Sequence, residues 1–372
     1  MRRLLLRGHL EYQVTAVFSA QNTSSQVQII RSGYEDNFKS IKIDGVALPR
    51  VVNSYKFTET GKHTVSYSLA DGRTLGNYAF SGLTSLSSCT IDEGVTTIGT
   101  GAFGGDTYLV SLELPSTLTH IGNSAFTNCQ RLSMVNSATS GECNIPNSVT
   151  TILDNTFAYC YAIKKVIMPS GLTSIDNNAF YNCSGLTTVN SSTSGECNIP
   201  NSVISIDESA FYGNTSLKTL SIPSSVTSIG VNPWRACSGL SAITVDSDNS
   251  SYDSRGNCNA IIETSTNALI TGCKNTVIPS TVTSIANYAF QGSRMIEVTI
   301  PSGIVSIGIY GFSGCTSLSS VICEPSTPPT LGSGGFNSNA NGRKIYVPSE
   351  SVNTYKTAST WSTYASSIYA IP

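Results

Sequence analysis

Charge is scarce in this chain. Only 12% of its 372 residues are Asp, Glu, Lys or Arg, and 21 basic against 23 acidic side chains leave a formal charge of −2. An average soluble domain carries about 25%. No run of Lys and Arg exists, so nucleic acid, which is held by clustered cations that displace phosphate counterions, is not an expected partner. Long apolar runs are absent too, and nothing approaches the ~18 residues of a membrane span. The opening Met1-Arg2-Arg3-Leu4-Leu5-Leu6-Arg7 has too short an apolar run for an export signal, which needs about 7–15 residues. Histidine is limited to His9, His63 and His120, and a nucleophile–base–acid triad needs its members within hydrogen-bond reach. Gly-x-Ser-x-Gly, Gly-x-x-x-x-Gly-Lys, His-Glu-x-x-His and Cys-x-x-Cys are all missing. Asp246, Asp248, Asn249 and Asp253 cluster, but without the Gly and terminal Glu of a calcium loop they read as a polar turn. No enzyme activity, metal or cofactor is therefore expected.

What replaces charge is Ser, Thr and Asn, roughly a third of the chain and well above average usage. With 40% apolar residues the chain can bury a core, and its composition is not that of a disordered segment. The organisation lies in a repeat. Taking as an anchor the aromatic of each Ala-Phe pair, or its counterpart where another residue replaces the Ala, gives Phe80, Phe103, Phe126, Phe157, Phe180, Phe211, Trp234, Phe290 and Phe312. Their spacings are 23, 23, 31, 23, 31, 23, 56 and 22 residues. The two gaps of 31 carry the same eight-residue insertion: Asn136 to Val149 returns almost verbatim as Asn190 to Val203. The gap of 56 holds an inserted segment near residues 247–277 whose Ala260-Ile-Ile and Ala268-Leu-Ile runs read as a hairpin.

Within each period a Leu or Ile falls six residues after the anchor, as at Leu86, Leu109 and Leu217. Apolar residues follow at nine and eleven, as at Leu112 and Leu114, or Leu220 and Ile222. This alternation is that of a short, half-buried strand. A following Pro (Pro115, Pro169, Pro223, Pro301) ends the strand ladder, and an Ile near eighteen, as at Ile98 and Ile121, precedes the next pair. One such unit cannot bury its apolar side alone, but stacked units can. The expected fold is a β-rich solenoid of leucine-rich repeats of about 23 residues, a right-handed curved stack with one parallel sheet. Eleven cysteines make a poor disulfide framework. Cys129, Cys160, Cys183, Cys237 and Cys315 each sit three residues after an anchor, which suggests packed, reduced thiols lining each coil.

The recurring Ile-Pro-x-x-Val-Thr-x-Ile-x-x-x-Ala-Phe-x-x-Cys-x-x-Leu-x-x-Val resembles the BspA-like leucine-rich repeats of bacterial surface proteins. It is well displayed at Ile222 to Ile229 and at Ile175 to Val189. The resemblance covers about residues 73–325, and the tail, with Pro328-Pro329-Thr-Leu331 and Ile345-Tyr-Val-Pro348, is similar to the C-terminal cap of gut-bacterial members. It implies an extracellular or cell-surface protein of a bacterium, non-catalytic, that adheres to a protein or glycan such as a host matrix protein or mucin. It carries over no functional residue.

Outside the repeats, residues 1–10 read as a leader. Residues 11–72 alternate as four or five short strands, with turns at Asp44-Gly45, Thr60-Gly61 and Asp71-Gly72, and suggest a small immunoglobulin-like β-sandwich capping the stack. Residues 326–372 read as the second cap, with a short helix between Ser349 and Ser367 turning Val352, Tyr355 and Trp361 inward. Strand residues eight and ten after each anchor point away from the core. They make the candidate ligand-binding face: Thr90, Glu113, Asn136, Lys165, Thr188, Asn190, Thr219, Ser221 and Thr244, with Lys164 and Lys218 adding a basic spot. A second candidate is the set of tyrosines beside the anchors, Tyr78, Tyr159, Tyr161, Tyr181, Tyr212, Tyr288 and Tyr310, whose rings suit an interface or pad the turns between coils. The protein is expected to be a monomer that binds a macromolecule; the alternative is a scaffold or spacer in a larger assembly, such as a phage-derived one.

Overall fold

The computed structural model describes residues 12–372. The expected leader at 1–10, with His9, lies outside the described residues. Two compact units divide the chain, one up to Ile163 and one from Lys164.

In the first unit the strands Leu86–Ile91, Ser111–Glu113, Met134–Val135 and Glu142–Asn144 pair in parallel, the first three from successive turns of the repeat. The register is that of the repeat, with Ser88, Ser111 and Met134 in one row. A second parallel ladder runs through Thr74–Leu75, Thr97–Ile98 and His120–Ile121. One parallel sheet was expected; each coil instead bears two strands, because the extended Thr/Ser-Ile pair also needs partners for its backbone groups. Between the ladders a tight turn carries the anchor. There the Phe80 N–H donates to the Ala102 carbonyl, and Phe103 N–H to that of Ala125.

The anchors stack into a buried column. Phe80, Phe103, Phe126 and Phe157 follow one another with ring centroids 5.4, 5.6 and 5.3 Å apart. Three residues on, the cysteine slot has a function that hydrophobicity alone does not give it. The Cys129 thiol donates to the Phe103 carbonyl at 3.1 Å and that of Cys160 to Phe126 at 3.2 Å. In the second unit Cys237, Cys315 and the amide of Asn214 do the same for Phe211, Phe290 and Phe180. In these five coils the slot holds a small donor for a buried carbonyl, which is why Cys and Asn exchange there.

The second unit repeats the plan. Lys165–Ile167, Thr188–Val189, Glu196–Asn198, Thr219–Ile222 and Ala242–Val245 form one parallel ladder. Glu297–Ile300, Ser320–Cys323, Lys344–Val347 and Ile368–Ala370 form another. Each eight-residue insertion adds a strand of its own: Cys143 pairs with Val135 and Cys197 with Val189. The long inserted segment does contain a hairpin, Ala260–Glu263 against Ala268–Gly272, whose second strand joins the short-strand ladder at Ser284–Ile285. The coils on either side of it meet directly, with Ala236 N–H donating to the Gln291 carbonyl.

At the ends the strands behave differently from the expectation. The immunoglobulin-like sandwich is not confirmed. Val14–Ala20, Gly61–Leu69, Phe38–Ile43 and Val46–Ala47 form one antiparallel sheet, and Val14–Ala20 pairs edge-on with Leu86–Ile91 of the first repeat. Only Val27–Gln28 and Ser54–Tyr55 lie apart, as a two-stranded ribbon. Half-buried alternation is the same for a strand in a sandwich and for one that extends a neighbouring sheet. Toward the C-terminus, Phe336 and Trp361 continue the ring column after Phe312, at 5.2 and 5.7 Å. The helix Val352–Thr357 and the 3-10 turn Trp361–Ser367 bury Tyr355 and Trp361 as expected. The Trp361 indole donates to the Pro329 carbonyl and the Tyr355 hydroxyl to that of Pro325, both at 2.7 Å.

Candidate functional site

Each parallel strand turns one side inward and the other to solvent. Leu112, Val166, Leu220 and Ile243 are buried, while their neighbours Glu113, Ser221 and Thr244 are exposed. In the second unit the register sets Glu196, Thr219 and Ala242 in one row and Asn198, Ser221 and Thr244 in the next. Lys164 and Lys218 stand one residue before this face, both exposed. Backbone bonds run from Thr187 to Lys164, Gly195 to Thr187 and Lys218 to Gly195. The two lysines are thus three strand steps apart, about 14 Å at the usual spacing. Their ammonium groups meet no carboxylate among the described residues. Lys165 is half-buried and lies opposite Thr188.

Three residues of the expected face are less available. Thr188 is only 6% exposed. Asn136 and Asn190 have left-handed backbones at the point where the chain leaves the strand. Their amides answer backbone groups: Asn136 accepts from Leu114 N–H at 2.6 Å and donates to the Asn144 carbonyl, and Asn190 does the same for Met168 and Asn198. The strand added by each insertion lies beside these positions. In the first unit Thr90 is half-buried opposite Glu113. Asp92 nearby holds its proton more tightly than usual, through burial and then through the negative charges of Glu113 and Glu93. The first unit's face is acidic around Glu113, whereas the second unit's is basic around Lys164 and Lys218.

The tyrosine set occupies the tight turns. Two residues before the anchors, Tyr78, Tyr288 and Tyr310 have positive φ, as does Tyr159 two residues after. In the first unit Arg31 packs over Tyr34 and Tyr78 at 5.7 and 5.5 Å and donates to Ser81. Arg31 and Arg235 were not singled out by the sequence. The available signal was that Arg235 follows its anchor directly, the position Tyr181 and Tyr212 hold in earlier coils.

Groups able to do chemistry are otherwise engaged. None of the eleven cysteines forms a disulfide and all are buried; burial pushes the Cys237 and Cys315 thiols up to about 12, far from a reactive thiolate. His63 is bound to Asp44 at 2.7 Å and stacks on Phe57. In the polar cluster Asp253 pairs with Arg255 at 2.6 Å, and the buried Asn249 amide donates to the Pro223 and Val226 carbonyls. No group of potential metal ligands forms among the described residues, and no helix there is long and apolar enough to cross a membrane.

Two ladders of short parallel strands, a stacked aromatic column and a period of 23 define a leucine-rich-repeat β-solenoid. The model of the BspA type leucine rich repeat region matches six copies, over residues 71–196, 139–258 and 261–369. The chain belongs to that family. Among solved structures it is similar to a leucine rich cell surface protein of Faecalibacterium prausnitzii, with 29% identity, a TM-score of 0.59, and coverage of 75% of this chain and 77% of that one. It also matches the pneumococcal vaccine antigen PcpA at 16% identity and a TM-score of 0.47, over 80% and 83% of the two chains. A leucine-rich repeat protein of Eubacterium ventriosum matches at 20% and 0.40, over 71% and 67%. No curated protein matches the chain.

Proposed function

We propose that this protein is a non-catalytic binding protein of a bacterial surface, which takes a protein or glycan ligand on the outward side of its parallel strands. The observation that carries the reading is the exposed row of the second unit: Lys218, Ser221 and Thr244 are exposed beside half-buried Thr219, on strands whose other side is core. Solenoids of this kind offer extended surfaces that suit macromolecules. Family membership and the likeness to a leucine rich cell surface protein support both the binding role and the location. The test is binding of the purified protein to immobilised mucin, fibronectin and fibrinogen. A variant joining Lys218→Glu to Thr219→Glu spares buried Thr188. Saturable binding that the variant abolishes is the expected result. Binding that survives it moves the site elsewhere, and no binding at all favours a structural spacer.

A further inference from the structure

Four tyrosines and one arginine of the second unit form an unbroken strip along the tight turns of successive coils. Tyr181 and Tyr212 stack at 4.5 Å with their planes 4° apart. The Arg235 guanidinium lies 5.2 Å from the Tyr212 ring centre and 4.5 Å from that of Tyr288, and Tyr288 stacks on Tyr310 at 5.6 Å. Exposed Ile309 borders the strip, its carbonyl accepting from Tyr288 N–H.

Two features set the strip apart from padding between coils. Tyr288 and Tyr310 hold φ of 59° and 52°, a region that Gly and Asn enter with least strain. Asn178, Asn232 and Gly334 fill the same position in other coils, so stacking does not require a tyrosine there. A side chain kept at a strained position invites a functional account. Second, Arg235 has unanswered donors. Its Nη2 donates to Ser209 Oγ at 3.2 Å, its Nε is buried without a partner, and no carboxylate pairs with it among the described residues. A planar guanidinium fixed between rings and paired with no carboxylate suits one supplied by a ligand through its Nη groups, the Nε being buried.

The geometry also selects the kind of ligand. Tyr212 is covered by Tyr181 on one side and Arg235 on the other, and Tyr288 by Arg235 and Tyr310. A sugar ring stacking on an aromatic face finds no open face at either residue. Ring edges, hydroxyls and the guanidinium remain, and Tyr and Arg are the residues that dominate protein interfaces. We propose that this strip docks an acidic polypeptide segment of another protein, with a carboxylate on Arg235 and neighbouring side chains along the tyrosine edges. The proposal stands apart from the strand-face reading above.

The test uses a fluorescein-labelled peptide of alternating Glu and Leu, its Gln-for-Glu twin, and sialyllactose and heparin as competitors, followed by fluorescence anisotropy on the full chain. The acidic peptide is expected to bind saturably, and Arg235→Gln and Tyr310→Gly to weaken it about tenfold each. Tyr310→Gly relieves the left-handed backbone but removes the ring packed over Gly334, so its affinity is read alongside its circular dichroism and unfolding midpoint, which separates binding from stability. The Lys218→Glu, Thr219→Glu variant is expected to keep its affinity. The proposal is overturned by absent binding, by equal binding of the Gln twin, or by undiminished affinity in folded Tyr310→Gly. It is likewise overturned if sialyllactose or heparin binds where the peptide does not.

Discussion

Asp106 stands where other coils place a thiol or an amide, and that substitution has a price in pH. It is fully buried; Oδ1 accepts the Leu83 N–H at 2.6 Å, and Oδ2 has no partner. Burial pushes its carboxyl well above the usual range, against the pull of the Leu83 and Gly82 N–H groups. The thiols of Cys89 and Cys129 share its surroundings and offer no positive charge. The neutral acid keeps the Leu83 N–H bond without bringing a charge into the core. The fold therefore keeps a proton that the unfolded chain releases near pH 3.9. Stability is highest below that value and falls as pH rises toward the folded-state pKa. Asp106→Asn keeps an acceptor for the Leu83 N–H and removes the titrating proton. It is expected to raise the unfolding midpoint at pH 8 and flatten its slope from pH 5 upward; a variant less stable than the parent at pH 8 shows that the carboxylate is tolerated ionised.

His63 has the same sign for a different reason. Partial burial pulls its pKa down, but the bonds to Asp44 and the Glu59 carbonyl outweigh that and leave it raised. Its contribution is complete below about pH 6.5 and disappears as pH rises through the higher folded value. An NMR titration of the imidazole is expected to show a midpoint above that of a free histidine, falling back in Asp44→Asn.

At the scale of the coil, stability depends on the column of rings and on what lies over it. Phe126 is fully buried between Phe103 and Phe157, so Phe126→Ala is expected to cost about 3–5 kcal/mol in denaturant unfolding. Neighbouring turns are coupled as well. A Cβ at Gly101 would meet the Tyr78 ring at 2.5 Å, and Gly101 itself has a φ of +59°. Gly101→Ala is expected to destabilise by about 1–3 kcal/mol, and less in a Tyr78→Ala background, where only the backbone strain remains. Equal losses in both backgrounds would show that the ring moves aside.

This coupling explains what the sequence could and could not reveal. Anchors were legible from the period, which also found Phe157, Trp234 and Phe312 where Thr, Pro or Gly stands in place of the Ala. Phe336 escaped because the residues around it were read as part of the C-terminal cap, and Trp361 because its coil contains a helix. The added strands Glu142–Asn144 and Glu196–Asn198 escaped because the eight-residue insertions fall outside the 23-residue period that marks the strands. On the candidate face the inward alternation was legible from Leu112, Val166 and Leu220. The burial of Thr188 and the backbone bonds of Asn136 and Asn190 were not, since they depend on the extra strand beside them. The Arg235 strip joins residues 181 and 310 through ring contacts between coils, which no local pattern encodes.

For the molecule as a whole, the hazard of a solenoid is its open end, where an unpaired strand and an uncovered core invite association. In the first unit both are closed by the residues before the repeats. Val14–Ala20 pairs with Leu86–Ile91 from Val14 against Ile91 to Phe18 against Leu86. The exposed side of the ring column is covered as well: Phe38 lies 5.6 Å and Tyr67 5.0 Å from Phe80, and the Tyr67 hydroxyl is tied to the Ile29 carbonyl at 2.7 Å. Removing residues 1–72 would uncover Phe80 and leave the hydrogen-bonding edge of Leu86–Ile91 bare. The truncated chain is expected to form concentration-dependent oligomers in light scattering, while the full chain stays monomeric under the same conditions. Val17→Pro tests the edge separately. Val17 lies in the middle of the strand, opposite Thr64 on one side and Ser88 on the other, and proline cannot supply the backbone N–H that a central strand needs. If the strand is the seal, this single change should reproduce part of the association and lower the unfolding midpoint. If the truncated chain instead remains monomeric and unfolds at the parent temperature, the first repeat closes its own end and the antiparallel sheet serves another purpose.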